Sequence, residues 1–352
     1  MTPLKIKIET VKAIEARDDQ RTGGFFGNRR CEPYLLTIYI KIDGNCINQE
    51  TANSLYLRGK LNPEDVFMGD LKKIGEDVPS GKVLNISPEI AEWNTVSKPI
   101  SINFMGKQNF VEGAVIAIYV FMEEDATATY IIRDAYNTLK NTVVEEVNKA
   151  ITQINLMDYN NNGKFDYQKF TQDNFSESSS RIKNAVEAKI KDHILGLLPS
   201  LFRNDDMIGF SNPIQFFSIQ ELLYGRKNFS SHFNGEGTWD VNGYAKAGFV
   251  RVFEHINFEG SFQDFEIGSF NVNDLSIGND TISSIAIPQN KIVELFEHSN
   301  FSGHKITLTE DCADFTTLKA HTYADDTILN PRYDIRGLVF NDETSSIKIL
   351  SK

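Results

Sequence analysis

Phe253-Glu254-His255-Ile256-Asn257-Phe258-Glu259-Gly260 is written a second time as Phe296-Glu297-His298-Ser299-Asn300-Phe301-Ser302-Gly303. Each copy is followed by an acidic, serine-rich loop, Asn279-Asp280-Thr281-Ile282-Ser283-Ser284 and Asn341-Asp342-Glu343-Thr344-Ser345-Ser346. Self-similarity at a period of about forty residues marks two copies of one supersecondary unit. Aromatic and polar residues alternate and then give way to Gly and a polar turn, which predicts short antiparallel strands. A unit of that size cannot bury its own apolar face, so the copies are expected to pair.

Upstream, residues 1 to 125 read as further strands. KIKIETVKAIEA alternates, YLLTIYIKIDG at 34 to 44 is β-branched and aromatic, and AVIAIYVFM at 114 to 122 is the strongest apolar run. Turn residues separate these segments at short intervals, favouring an antiparallel sandwich over a parallel sheet with crossover helices. The loop between the first two strands carries Asp18, Asp19 and Glu32, and AVIAIYVFM runs directly into Glu123-Glu124-Asp125. Acids gathered at one strand end repel one another unless solvated or neutralised by a cation, and hard oxygen ligands without His or Cys suit calcium or magnesium.

From Thr129 the period changes to that of a helix. Ile132, Ala135, Leu139, Val143, Val147, Ala150 and Ile154 form one stripe, and Ile182, Ala185, Val186, Ile190, Ile194 and Leu197 a second that stops before Pro199. Residues 126 to 202 are thus expected to be a helical hairpin packed on the sandwich, with a membrane or a partner as the other surface such stripes suit. Its connector places Asp158, Asn160, Asn162, Gly163 and Asp166 at EF-hand-like spacing, but Lys169 stands where a bidentate Glu is needed. An Asn/Gly turn is the expectation there.

The chain has 352 residues and 41% hydrophobic content, enough for two domains with their own cores. A net charge of −12 argues against a sequence-independent nucleic-acid binder, which neutralises phosphates with Lys and Arg. Cys31, Cys46 and Cys312 show no CxxC spacing, so neither a disulfide framework nor a thiolate zinc site is expected. The N-terminus lacks a basic-then-apolar signal, and no apolar run reaches the roughly 18 residues of a membrane span. The expected compartment is cytoplasmic by default, with export by a route without a cleaved signal left open. There is no Ser/His/Asp or Cys/His order with supporting context, no phosphate-cradling Gly loop and no evident pair of catalytic carboxylates, so no enzyme is expected.

Two resemblances follow from these residues. EARDDQ with CEPYLLTIYIKIDG, then AVIAIYVFMEED, then NDDMIG, is similar in order to the signatures of C2 domains, eight-stranded sandwiches whose end loops gather aspartates around calcium. That resemblance implies a second ligand cluster from Asp18 or Asp19, Glu32, Glu123 or Asp125, and Asp205 or Asp206. Glu32 replaces the usual Asp, and a long helical insertion separates EED from NDD. Residues 248 to 352, with two copies of aromatic-E-x-x-x-Phe-x-Gly each followed by [ND][ND]xx[ST]S, resemble a βγ-crystallin domain of the calcium-binding kind. The resemblance implies a double Greek key and two ions. Asp280, the Thr281 carbonyl and Ser345 would hold one, and Asp342, the Glu343 carbonyl and Ser283 the other. Phe253 and Phe296 stand where that family often has Tyr or Trp, and the second copy reaches its loop later than the first because of an added segment around Asp325 and Asp326. His255 and His298 occupy equivalent places in the repeat, which favours a structural role.

The sequence therefore predicts a mainly β protein. Residues 1–247 form an antiparallel C2-like β-sandwich interrupted by a helical hairpin, and residues 248–352 a double Greek-key βγ-crystallin domain. The expected function is non-enzymatic calcium binding in a structural protein. The other reading is an interaction or assembly protein that meets a membrane, a glycan or other copies of the chain through its N-terminal domain.

Overall fold

The two most apolar runs pair with each other over their full length. In the structure, a computed structural model, Pro33–Ile42 lies antiparallel to Ala114–Glu123, from Ala114 opposite Ile42 to Glu123 opposite Pro33. The described residues are 1–16, 32–123, 129–175, 207–209, 214–235, 237–318, 322–323 and 340–352. Every residue of Pro33–Ile42 is buried, which explains the absence of apolar–polar alternation: both faces of this sheet are covered. On one face Tyr119 and Phe121 meet Phe229, Phe233 and Trp239, with Phe121 and Trp239 edge to face at 5.1 Å between centroids. The Tyr119 hydroxyl satisfies its buried polar tip on Ser231 at 2.6 Å. On the other face Ile38, Ile40, Ile116 and Ile118 share a core with Tyr136, Leu139, Val143 and Val147 of the helix Thr129–Ile151.

The chain divides into two compact units, Lys5–Lys246 and Met1–Leu4 with Ala247–Lys352. Among the described residues the first holds two five-stranded sheets. One orders Lys227–Gly235, Gly237–Ala247, Thr2–Glu15 and Val83–Asn85, with Glu92–Ser97 also on Thr2–Glu15. The other orders Met207–Gly209, Ala114–Glu123, Pro33–Ile42 and Val66–Met68, with Ile214–Ser218 also on Ala114–Glu123. The aromatic contacts between Ala114–Glu123 and Lys227–Ala247 make these sheets a sandwich, and the helix adds a third layer.

The first helical stretch is a helix, Thr129–Ile151, and of its expected stripe Leu139, Val143 and Val147 are buried while Ala150 is half-buried. The helix ends at Ile151, and Ile154–Asn155 instead pairs as a strand with Tyr56–Gly59. Leu139, Val143 and Val147, with the neighbouring Ile151, share the core of the sheet. The second stripe, at 182 to 197, lies outside the described residues. The connector is locally structured as expected for a turn. Asn160–Asn161 pairs with Lys164–Phe165, the Asn160 carbonyl oxygen Oδ1 accepts from the Gly163 N–H at 2.8 Å, and Asp166 Oδ1 accepts from the Lys169 N–H at the start of a nine-residue helix, Tyr167–Phe175. Lys169 pairs with Asp173 at 2.8 Å. Among the described residues, no helix is long and apolar enough to cross a membrane.

In the second unit the sequence repeats become strand segments. The first copy supplies Val250–His255, Glu259–Phe265, Gly268–Phe270 and Ser284–Ala286; the second supplies Lys291–His298, Ser302–Leu308, the bridge at Cys312 and Ser346–Ser351, with an added strand, Thr322–Tyr323, on Ser302–Leu308. Third segments are exchanged. Gly268–Phe270 pairs with Ser346–Ser351 of the second copy, and Cys312 forms a two-bond bridge with Ile285 of the first, both N···O distances being 2.9 Å. Each Greek key therefore lends a strand to the other's sheet. Between the sheets lie Val252, Phe265, Ile285, Val293, Leu295, Ile306, Phe340 and Ile347, all buried. The short apolar strands predict this pairing: neither copy alone has a second face to close its core.

Candidate metal centre: the paired acidic loops

The repeated hairpins fix where the loops can go. Within each, Asn257 and Phe258 (φ 61° and 65°) and Asn300 and Phe301 (φ 59° and 59°) adopt the left-handed region, folding the hairpin back on itself. Gly260 at φ 82° and Gly303 at φ 80° complete the bend. A Cβ on either would lie 2.8 Å from the ring of His255 or His298, so the glycines serve both backbone and packing. The Phe253–Phe258 and Phe296–Phe301 rings meet edge to face, both pairs at 5.7 Å between centroids. His255 and His298 thus act as packing elements of the fold-back.

Each loop is clasped onto its hairpin by its last serine. Ser284 Oγ donates to the His255 carbonyl at 2.6 Å and accepts from the Phe258 N–H at 3.1 Å. Ser346 does the same with His298 and Phe301 at 2.7 and 3.1 Å. The preceding serines are anchored through their backbones, Ser283 N–H to the Phe253 carbonyl and Ser345 N–H to the Phe296 carbonyl, each at 2.9 Å. Their hydroxyls turn to the other copy. Ser283 Oγ donates to Asp342 Oδ1 at 3.2 Å, and Ser345 Oγ to Asp280 Oδ1 at 3.3 Å. Backbone ties run the same way, from Asp280 N–H to the Thr344 carbonyl at 3.3 Å and from Asp342 N–H to the Ile282 carbonyl at 3.4 Å.

Asp280 and Asp342 sit at φ 55° and 57°, a conformation that Asp and Asn tolerate better than other side-chain-bearing residues. Both are exposed, while Ser283 and Ser345 are buried. The neighbouring amides brace the acids, Asn341 Nδ2 donating to Asp342 Oδ2 at 2.7 Å and Asn279 Nδ2 to Asp280 Oδ2. Thr281 directs its hydroxyl back to the carbonyls of Ile277 and Gly278 at 3.2 and 3.1 Å, bracing the loop locally.

The donor set fits a hard cation. Calcium holds oxygens at about 2.3–2.6 Å, so two ligands roughly at right angles stand about 3.3–3.7 Å apart. The Asp280–Ser345 and Asp342–Ser283 oxygens are already at 3.3 and 3.2 Å. Among the described residues no group of three or more His, Cys, Asp and Glu side chains is gathered for a metal ion. An ion here would take one aspartate carboxylate, with hydroxyls, carbonyls and water completing its shell, an all-oxygen set of the kind that hard cations prefer to soft transition metals.

The field is visible in Glu343. Burial, followed by the carboxylates of Glu297, Asp280 and Asp342, pushes its pKa up, with His298 opposing. Glu297 is the residue that sequence reasoning missed. It is held by the His304 N–H at 3.0 Å and by His304 Nδ1 at 2.6 Å, and its signal was its identical place in both FEH copies. The clasp role of Ser284 and Ser346 was also not foreseen.

Of the acids expected in the second ligand cluster, only Glu32 has a described side chain. Glu32, expected as a ligand, forms an ion pair with Lys73 at 2.8 Å, because the bridge between Tyr34 and Lys73 brings that ammonium to the strand end. Glu123 is at the last position of its strand, opposite Pro33. Its side chain, together with Asp18, Asp19, Asp125, Asp205 and Asp206, lies outside the described residues.

No family model and no curated protein matches the chain. Among solved structures, it is similar to a βγ-crystallin domain from Clostridium beijerinckii, at 25% identity over 30% of this chain and 99% of that one, with a TM-score of 0.22. It is similar also to a βγ-crystallin domain from Flavobacterium johnsoniae, at 24% identity over 29% and 94% of the two chains and a TM-score of 0.23. The N-terminal domain of Protein S is 23% identical over 29% and 96%, with a TM-score of 0.22. The chain is mainly β and, over about 30% of its length, similar to βγ-crystallin domains.

Proposed function

We propose that this chain is a non-enzymatic, calcium-binding structural protein holding two Ca2+ ions between the paired loops of its C-terminal unit. One ion takes the Asp280 carboxylate, the Thr281 carbonyl and the Ser345 hydroxyl; the other takes Asp342, the Glu343 carbonyl and Ser283. The observation that supports the reading is reciprocity: each exposed aspartate lies within 3.3 Å of a buried serine hydroxyl from the opposite copy. An ion at either position links both Greek keys and relieves the repulsion felt by Glu343, so binding favours the folded state by mass action. Calorimetric titration of the full chain is expected to give two ions per chain, and none with Asp280→Asn/Asp342→Asn. Unchanged stoichiometry in that variant would overturn the proposal.

A further inference from the structure

The Lys5–Lys246 unit carries a cleft of about 440 Å³ whose lining includes none of the residues assigned to a metal above. Three elements form it: the strand Lys107–Val111, the helix Tyr167–Phe175 and the short helix Ile219–Leu222. They are locked together by hydrogen bonds. Tyr167 donates its hydroxyl to Asn109 Oδ1 at 2.9 Å, and the Ile219 N–H donates to the Gly113 carbonyl at 3.0 Å. The cleft is thus preformed, of a size typical for small-molecule sites.

Its lining mixes two exposed aromatic rings with neutral amides and two acids. Phe110 is 56% exposed and Tyr167 42%, large apolar faces left open beside a concave surface. Gln168 and Gln220 offer paired donors and acceptors, and Glu112 and Glu221 offer acceptors. At the rim stands Tyr224, 82% exposed, with its hydroxyl 3.4 Å from Gln220 Nε2. Glu112 is 7% exposed, so one acid sits at the floor.

We infer that this cleft binds a neutral oligosaccharide. A pyranose presents C–H groups on one face, which stack on the electron-rich face of an aromatic ring. Around its edge it presents hydroxyls that both donate and accept, the pattern that carboxamides and carboxylates satisfy. The two acids exclude uronates and sulfated sugars by like-charge repulsion and by the lack of a cation among the lining residues. A quaternary ammonium would use the acids and rings but leave the amides without a purpose.

The test titrates the full chain calorimetrically with cellohexaose, xylohexaose, mannohexaose and N-acetylchitohexaose, with a hexagalacturonate and tetramethylammonium as charged probes. Saturable binding of at least one neutral hexasaccharide, and of neither charged probe, is expected. Phe110→Ala should weaken it by about tenfold or more, and Gln220→Ala should weaken it too, both with unchanged melting temperature because these side chains are exposed. Asp280→Asn/Asp342→Asn should bind the sugar as the unaltered chain does, which separates this outcome from that of the calcium reading. Absence of binding by all four neutral sugars, saturation by tetramethylammonium or hexagalacturonate, or full affinity in both cleft variants would overturn the inference.

Discussion

Replacing Asp280 by Asn isolates the charge from everything else the residue does. Asp280 holds φ 55°, which Asn adopts nearly as readily, whereas Ala there would add roughly 1–2 kcal/mol of strain. Without calcium the Asn variant should be at least as stable as the unaltered chain, because one of the carboxylates that raise the Glu343 pKa is gone. With free calcium at 100 times the dissociation constant, each occupied site adds about 2.7 kcal/mol. For a unit of the size of Ala247–Lys352 that corresponds to roughly 10–20 °C in melting temperature. Asp280→Asn and Asp342→Asn should each remove about half the calcium-induced shift, and the double variant all of it. Reciprocity adds a sharper requirement. Asp280→Asn combined with Ser345→Ala removes one site twice and should be non-additive, while Asp280→Asn with Ser283→Ala removes both sites and should be additive. Scanning calorimetry of the full chain in calcium and in chelator measures all of these. Identical transitions in the two buffers, or coupling of Asp280 to Ser283 and not to Ser345, would refute the reasoning.

The clasp serines should matter for folding irrespective of the ion. Ser284→Ala or Ser346→Ala removes two hydrogen bonds to a part-buried carbonyl and N–H and should cost about 0.5–1.5 kcal/mol in denaturant unfolding measured with chelator present. Gly260→Ala and Gly303→Ala should each destabilise by at least about 1–2 kcal/mol, since φ near 80° and a ring 2.8 Å from the new Cβ oppose the change. Glu92 makes the sandwich acid-sensitive. Burial raises its pKa, but bonds from Lys5, Lys7 and Asn94 outweigh burial and bring it to about 2. Its folded pKa lies below the unfolded one, so its contribution is complete above the ordinary glutamate range and is lost as pH falls toward 2. Melting temperature measured against pH should fall less steeply there in Glu92→Gln. Burial also pushes the Cys46 thiol up to about 12, so alkylation of the native chain at pH 8 should modify the partly exposed Cys312 well before Cys46.

The C-terminal unit was legible in the sequence because its requirements are local. The left-handed turns are filled mostly by Asn, Asp and Gly, and the core demands alternating apolar residues, so the unit is spelled twice in recognisable letters. The run AVIAIYVFM was legible as a strand for the opposite reason, being buried on both faces. What covers those faces was less evident. A β-branched run looks the same whether a second sheet or a helix lies over it, and only the structure shows Trp239 and Phe233 on one side and Val143 and Val147 on the other.

By itself the sequence determined the repeat and the strand-rich class, since these follow from spacing along the chain; the pairing of aspartate with serine came from the resemblance those spacings carry. Tertiary structure supplied the contacts between Ser345 and Asp280 and between Ser283 and Asp342 that the resemblance implied, and alone decided that Glu297 enters the field of Glu343 and that Glu32 is held by Lys73. It alone brought Phe110, Tyr167 and Gln220 to one cleft. Spacing fixes which side chains share a face within an element. Which elements meet depends on strand exchange and layer packing between segments tens of residues apart, and the energy of that choice is distributed over the whole core rather than written at any one position.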